Sequence, residues 1–379
     1  MNGPRRIGLN LLFLVPGETG GSEIYVRHLI PKLAEVRPDL ELVAFVNREG
    51  AGAELGGAEV VRLGVSGRSR PRRVLAEQRR LPGLARRHGI DLLHSPGTSA
   101  PRRPGVLSVV TILDVIYLRH PEAHTLPMRL GMRVIVPLAA RGADRVITIS
   151  HSAADEIAEA LPVPRVRIDV THLGGRPIGP ATPESELRRR LDLGDAPLVL
   201  SVSARRPHKN LRRLIEAFAS VSAEPRPLLV LPGYETPFED ELRHRAGELG
   251  VADRVRLLGW VSDEDLEGLY GAATCFAFPS LAEGFGLPVL EAMQRGVPVA
   301  CSNAGPLPEI AGDAARYFNP LDVADMARAL SELLRSDRLR EELAGTGRDR
   351  ARSFTWERTA RETLESYARA WTGSGRSSE

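Results

Sequence analysis

Cysteine and lysine are nearly missing from this chain. Of its 379 residues only Cys275 and Cys301 are cysteines, too few for a disulfide framework, and no Cys/His cluster has the spacing of a structural zinc site. A reducing cytoplasm is therefore the expected compartment. Lys32 and Lys209 are the only lysines in a Lys+Arg total of 51. A bias of that kind reflects genome composition, so a lysine that persists against it is a candidate for work a planar guanidinium does not do. Large net charge is missing too: +3 is too small to argue for nucleic acid as a partner. No apolar run approaches the ~20 residues of a membrane helix. The N-terminal "MNGPRRIGLNLLFLVPGETGG" imitates a signal peptide, but its apolar stretch is short, lacks a small-residue cleavage site and runs into a glycine loop, so it reads as a first strand.

What is present is a long alternation of buried-strand runs with helical patterns. The runs are "RIGLNLLFLV", "ELVAFV", "DLLHS", "LSVVTIL" and "RVITIS", then "PLVLSVS", "PLLVLPG", "RVRLLGW", "TCFAFPS" and "VPVACS". That alternation predicts an α/β protein with mostly parallel sheets, and the length calls for two cores. Between the halves "HLGGRPIGPATPESE" (172–186) gathers Gly and Pro without apolar periodicity and marks a linker. Two doubly wound domains follow, and in such folds ligands lie beyond the carboxyl ends of the strands, here in a cleft between facing domains. A helical pattern over 336–371 and the loose tail "TGSGRSSE" end the chain.

Three loops carry the chemistry. After "TCFAFPS", the stretch "LAEGFGLPVLEAMQRG" opens a short helix with Pro288 near its start and Gly296 just past its end. Its first amides have no internal partner and carry partial positive charge, and Gly284 and Gly286 let a ligand approach the backbone, which makes a phosphate seat. Glu283 and Glu291 flank it and can accept hydrogen bonds from hydroxyls; the competing reading is a helix dipole complement and a solvated acid. After "PLVLSVS", Arg205, Arg206 and Lys209 precede an amphipathic helix. Positive charge is unfavourable at that end of a helix, whereas a diphosphate leaving group needs preorganised cations. In the first half, "PGETGGSEIYVRHL" holds Gly17, Gly20 and Gly21. Their spacing is not G-x-G-x-x-G, so a dinucleotide site is not implied, while a tight turn approached by a ligand remains open beside plain turn chemistry.

Together these stretches resemble the family-4 retaining glycosyltransferases of the GT-B fold, over nearly the whole chain. "EGFGLPVLEAMQRGVPV" looks like that family's E-x7-E signature, "RRPHKNLRRLIEAF" is similar to its basic phosphate motif, and "GETGGSEIYVRHL" to its acceptor-side loop; "LLGWVSDEDLEGLYGAA", "ITISHSAADEI" and "GPLPEIAGDAARYFNPLD" agree as well. The resemblance implies an acceptor-binding Rossmann-like domain over 1–178, a sugar-nucleotide-binding one over 179–356, and a helix over 357–379 that crosses back to the first domain before the tail. It implies that Glu291 binds the ribose hydroxyls, Glu283 the donor sugar, and the backbone of Gly284, Phe285, Gly286 and Leu287 sugar and phosphate. Lys209 would bind the diphosphate, and Gly259, Trp260 and Val261 would border the base. The family often has an arginine five residues before the lysine; here Ala204 stands there, so Arg205 or Arg206 must substitute. Gly20 and Gly21 fall on the acceptor side. Many members carry a histidine before the aspartate that follows a first-half strand, where this chain has Leu113 before Asp114, leaving His120 or His124 as replacements, donor-side stabilisation alone, or an impaired enzyme.

The expectation is thus a retaining hexosyltransferase, of mannose or a related hexose, acting on a glycan, lipid-linked or small-molecule hydroxyl in envelope polysaccharide or glycoconjugate synthesis. It would need no cofactor and no metal beyond its nucleotide-diphosphate sugar. The alternatives are a UDP-sugar epimerase on the same architecture and a catalytically silent sugar-nucleotide binder; a glycosidase is a weaker rival because both acids sit on one wall. The arginine-rich stretch 66–90 is in addition a candidate for peripheral contact with anionic lipid at the inner membrane face, against the plainer reading of a solvated helix.

Overall fold

The computed structural model describes residues 3–121 and 125–373; His124 and the end of the tail lie outside them. The chain divides into two compact units, residues 1–174 with 355–379, and residues 175–354. The division falls at Gly174/Gly175 and at Phe354/Thr355, where the sequence reading puts it after 178 and 356. The reason is close packing around the glycine pair. A Cβ on Gly174 would lie 2.4 Å from the backbone nitrogen of Trp356, and one on Gly175 would lie 2.1 Å from the Gln294 side chain, so each glycine is pressed onto its own unit.

The first unit contains seven parallel strands: β1 (Arg6–Leu11), β2 (Glu41–Val46), β3 (Glu59–Arg62), β4 (Leu92–Ser95), β5 (Leu107–Thr111), β6 (Arg145–Thr148) and β7 (Ile168–Val170), in the order β3-β2-β1-β4-β5-β6-β7. One sheet face carries Leu12, Val43, Phe45, Leu93, Val110 and Val146 against the crossover helices. The other receives helices Gly21–Val36 and Trp356–Gly373, which pack on each other, so the last helix belongs to the first unit. His94 anchors it: its Nδ1 pairs with the Tyr367 hydroxyl at 2.7 Å and its Nε2 with Thr111 Oγ1 at 2.7 Å, all buried.

The second unit has β8 (Leu198–Leu200), β9 (Leu228–Pro232), β10 (Val255–Leu258), β11 (Ala273–Phe278), β12 (Val299–Ser302) and β13 (Ala315–Phe318), all parallel, in the order β10-β9-β8-β11-β12-β13. Its core joins Val199, Leu229, Cys275 and Ala277 of the sheet to Leu214, Phe218, Met326 and Leu330 of the helices. Strand order reverses between β1 and β4 in one sheet and between β8 and β11 in the other, and those are the points where a doubly wound sheet opens a crevice at its carboxyl edge. Both cysteines are buried and free. Among the described residues no helix is long and apolar enough to cross a membrane.

Candidate active site

The loops that follow β8 and β11 meet at the reversal point of the second sheet. Lys209 closes a one-turn 3-10 segment, Pro207–Lys209, and Asn210 then turns left-handed at φ 60° to start helix Leu211–Ala219. The Asn210 amide donates to the carbonyls of Pro279 at 3.0 Å and Pro320 at 2.8 Å, while Leu281 N–H donates to the His208 carbonyl at 2.8 Å. These bonds fix the two loops together. Across them the Lys209 ammonium donates to Glu283 Oε1 at 2.6 Å, with side chains 18% and 11% exposed, and lies 5.8 Å from the centre of the Phe278 ring. Two residues 74 positions apart in the sequence are thus a pre-formed ion pair.

Glu283 leads into helix Leu287–Gln294 through Gly286, whose φ of 101° and whose Cβ position, 2.6 Å from Leu307 Cδ2, leave room for no side chain. Phe285 is buried with its ring 6.0 Å from that of Phe354, so it anchors the turn and leaves any ligand contact to the backbone. Gly296, at φ 68°, ends the helix as expected.

Glu291 keeps different company. Its carboxylate accepts from the Tyr270 hydroxyl at 3.2 Å, and Arg176 approaches to 4.0 Å. Burial raises its pKa, and Arg176, Arg295 and the Tyr270 bond offset only part of that. Arg295 covers the Tyr270 ring at 4.9 Å and pairs with Glu267. Arg176, Glu267, Tyr270 and Arg295 were not singled out from sequence; only Arg295, four residues after Glu291 on one helix face, carries a local signal.

The two arginine candidates separate. Arg205 is 1% exposed, ion-paired to Glu239, and donates to the carbonyls of Leu231, at 3.1 Å, and Leu258. Through its two terminal nitrogens it ties the carboxyl ends of β9 and β10 together, while its Nε is buried and makes no hydrogen bond among the described residues. Arg206 is exposed in the same loop. Gly259 and Val261 follow β10, and Trp260 between them is 68% exposed and stacked on Tyr234, ring centres 4.6 Å apart. The one D-x-D spacing in the chain, Asp263 to Asp265, opens helix Asp263–Ala272, with Asp263 on Arg176 and Asp265 on Arg190 and Thr182.

In the first unit, Gly20 and Gly21 start helix Gly21–Val36 beside open space. Glu23 braces this turn, accepting from Gly17 N–H at 2.9 Å and from Arg27 at 2.8 Å. Asp114 accepts from Ile116 N–H at 3.0 Å and so heads the short helix Ile116–Arg119, with His120 at its end. Leu113 and Asp114 lie past the end of β5, which stops at Thr111.

Residues 184–350 match the model of the glycosyl transferases group 1, and residues 19–174 that of Glycosyltransferase Family 4. The O-antigen chain mannosyltransferase B of Escherichia coli is 33% identical over 282 residues, 73% of this chain and 74% of that protein. The chain belongs to the family-4 GT-B glycosyltransferases. Another relative of this glycosyltransferase is the MMP alpha-(1->4)-mannosyltransferase of Mycolicibacterium hassiacum, 32% identical over 61% of this chain and 55% of that protein. The serotype-specific mannosyltransferase WbdA of E. coli is 33% identical over 60% of this chain, which spans only 29% of WbdA. Among solved structures, the sucrose-phosphate synthase of Thermosynechococcus elongatus superposes with a TM-score of 0.77 at 21% identity, over 97% of this chain and 100% of that one. Anabaena Alr3699/HepE in complex with UDP and glucose gives 0.73 at 22%, over 96% and 100%. The glycosyltransferase thus has the two-domain Rossmann-like α/β fold expected from its strand pattern.

Proposed function

We propose that this glycosyltransferase moves a hexose, mannose by the names of its relatives, from a nucleotide-diphosphate sugar to a hydroxyl of a glycan, lipid-linked or small-molecule acceptor, with retention of anomeric configuration and without a metal. The observation that carries the reading is the Lys209–Glu283 pair at 2.6 Å, set at a strand-order reversal beside a helix N-terminus. An ammonium held there is ready to balance charge that grows on a departing diphosphate, and a fixed charge costs no reorganisation at the moment of reaction. Helix amides that follow Glu283 supply a second source of positive potential. Glu283 both aims Lys209 and offers its second oxygen to a sugar hydroxyl. The acceptor hydroxyl attacks the anomeric carbon from the face the diphosphate leaves and passes its proton to the departing diphosphate oxygen as the bond from that oxygen to the anomeric carbon breaks, so no enzymic nucleophile is needed and the configuration is kept. With Arg205 engaged in the sheet, Arg206 is the remaining arginine candidate for the phosphates. Relatives named as mannosyltransferases and a structural neighbour crystallised with UDP and glucose support a nucleotide-sugar donor.

The test is a thermal-shift screen of UDP-, GDP- and dTDP-hexoses, in which a ligand at ~100 times its Kd stabilises by ~2.7 kcal/mol. Turnover of the best donor with and without EDTA follows, with the product anomer read by NMR. A product of inverted configuration, or activity abolished by chelation and restored by Mn²⁺, would overturn the mechanism. Donor turnover to an epimer with no acceptor present would make it an epimerase.

A further inference from the structure

The segment that opens the second unit carries one charged side chain. Between His172 and Glu184 the sequence is glycine, proline and small or apolar residues around Arg176. An arginine in such a linker ordinarily extends into water, but this side chain is only 21% exposed. Gly175 is pressed onto Gln294 of helix Leu287–Gln294. Further on, Gly179 N–H bonds to the Glu267 carboxylate, Thr182 N–H donates to the Glu264 carbonyl at 2.9 Å, and a Cβ on Gly268 would lie 2.8 Å from the Thr182 carbonyl oxygen. These contacts lay the segment along helix Asp263–Ala272 and turn the Arg176 guanidinium onto Asp263, Glu267 and Glu291.

The three carboxylates are held unequally. Nη1 of Arg176 donates to Asp263 Oδ1 at 2.8 Å and Nη2 to Glu267 Oε1 at 3.2 Å, but Nε stops 4.0 Å from Glu291 Oε1. That gap is outside hydrogen-bond range, and the buried Nε makes no hydrogen bond among the described residues. Arg295 gives Nε and Nη2 to Glu267 and donates from Nη1 to the backbone carbonyl of Glu291 at 3.0 Å, not to its side chain. Two guanidinia thus serve three carboxylates, and Glu291 is the one held at a distance. A staple built for stability alone would close the gap, because a buried donor without an acceptor costs free energy. Kept as it is, the carboxylate is fixed by the Tyr270 hydroxyl on Oε2 and retains most of its roughly four acceptor sites. Burial pushes the Glu291 pKa up, and Arg176 is the strongest of the influences that pull it back.

We propose that Arg176 is a positioning residue for donor binding: from the linker, and together with the Tyr270 hydroxyl, it secures the charge and direction of the Glu291 carboxylate so that it accepts from the ribose hydroxyls of the nucleotide. The proposal rests on the reading of this protein as a nucleotide-sugar transferase in which Glu291 meets the ribose. A hydroxyl donating to an ionised carboxylate makes a stronger bond than one donating to a neutral acid. Arg176 therefore acts through Glu291, and its effect is felt only by a ligand that carries the hydroxyls.

The test measures, by titration calorimetry on the full chain, the binding of UDP and GDP and of their 2′-deoxy and 3′-deoxy forms. The unaltered chain is expected to prefer the ribose form of one base by about tenfold or more, the worth of a hydrogen bond to a charged group. Arg176→Met should lower affinity for that ribonucleotide about tenfold and leave the deoxy forms nearly unchanged, so that the preference disappears. Arg176→Lys, which keeps a charge, should retain most of it. Arg176→Met/Glu291→Gln should bind no more weakly than Glu291→Gln alone, since the arginine acts through the glutamate. Circular dichroism melts check that the variants fold, and Arg176→Gln, which keeps a donor for Glu267 without the charge, repeats the measurement should the methionine variant unfold. If the Arg176 variants weaken ribose and deoxyribose forms equally, or keep the preference, Arg176 only fastens the linker and the proposal is overturned. If the unaltered chain binds none of these nucleotides, or binds ribose and deoxyribose forms alike, the reading of Glu291 fails and the proposal falls with it.

Discussion

Replacing Lys209 by Met separates its two roles. At 2.6 Å two unit charges attract by about 6 kcal/mol at an effective dielectric of about 20. Desolvation of side chains that retain 18% and 11% exposure takes back most of this, leaving a coupling of about 1–3 kcal/mol. Lys209→Met leaves the Glu283 carboxylate uncompensated, so unfolding in urea should show a loss of that size. Glu283→Gln in the same chain should restore part of the stability, because the stranded charge is gone. Activity should not follow. The cation that balances the leaving group is missing in both variants, and losing such a group costs about 2.7–4 kcal/mol in the transition state, a fall of roughly 10² to 10³ in kcat at saturating donor. The measurement is a double-mutant cycle run in parallel on urea stability and on kcat. If Lys209→Met keeps kcat within about twofold, Lys209 does not serve the leaving group; if Glu283→Gln recovers kcat together with stability, the pair is only structural.

Three further outcomes are expected. Arg205→Met should destabilise by about 2–4 kcal/mol, by stranding Glu239 and two strand-end carbonyls, while kcat per folded molecule changes little; a large kcat loss at unchanged Tm would return Arg205 to the diphosphate. Burial holds the His94 imidazole down at about 3, against an ordinary 6.5. Between those values the unfolded chain binds a proton that the folded one does not, so stability is complete above the ordinary value and is lost on acidification by ~1.4 kcal/mol per pH unit. His94→Gln should flatten that slope in urea titrations across pH, and identical slopes in both chains would refute the assignment. Gly286→Ala, at φ 101° and against Leu307, should cost about 1–3 kcal/mol and abolish the donor-induced thermal shift; an unchanged shift would show that this turn does not seat the donor.

Sequence alone determined the features that repeat along the chain or sit close together in it. Strand and helix alternation, the glycine-bounded helix after Glu283, the linker and Lys209 as an isolated lysine are all local patterns, and local patterns are what periodicity and turn chemistry encode. Three strands escaped that reading: β3, β7 and β13. All are sheet edges of three or four residues, too short and, for β3 and β13, too exposed to show an apolar run. Tertiary structure alone decided which charges meet. Nothing near position 205 distinguishes Arg205 from Arg206, yet Glu239 and the carbonyls of β9 and β10 bury the first and leave the second exposed. The surroundings of Glu291 come from Arg176 in the linker and Tyr270 in another helix. Burial and charge pairing join residues tens to over a hundred positions apart, and the energy of such a contact resides in the packed neighbours, which no stretch of sequence contains.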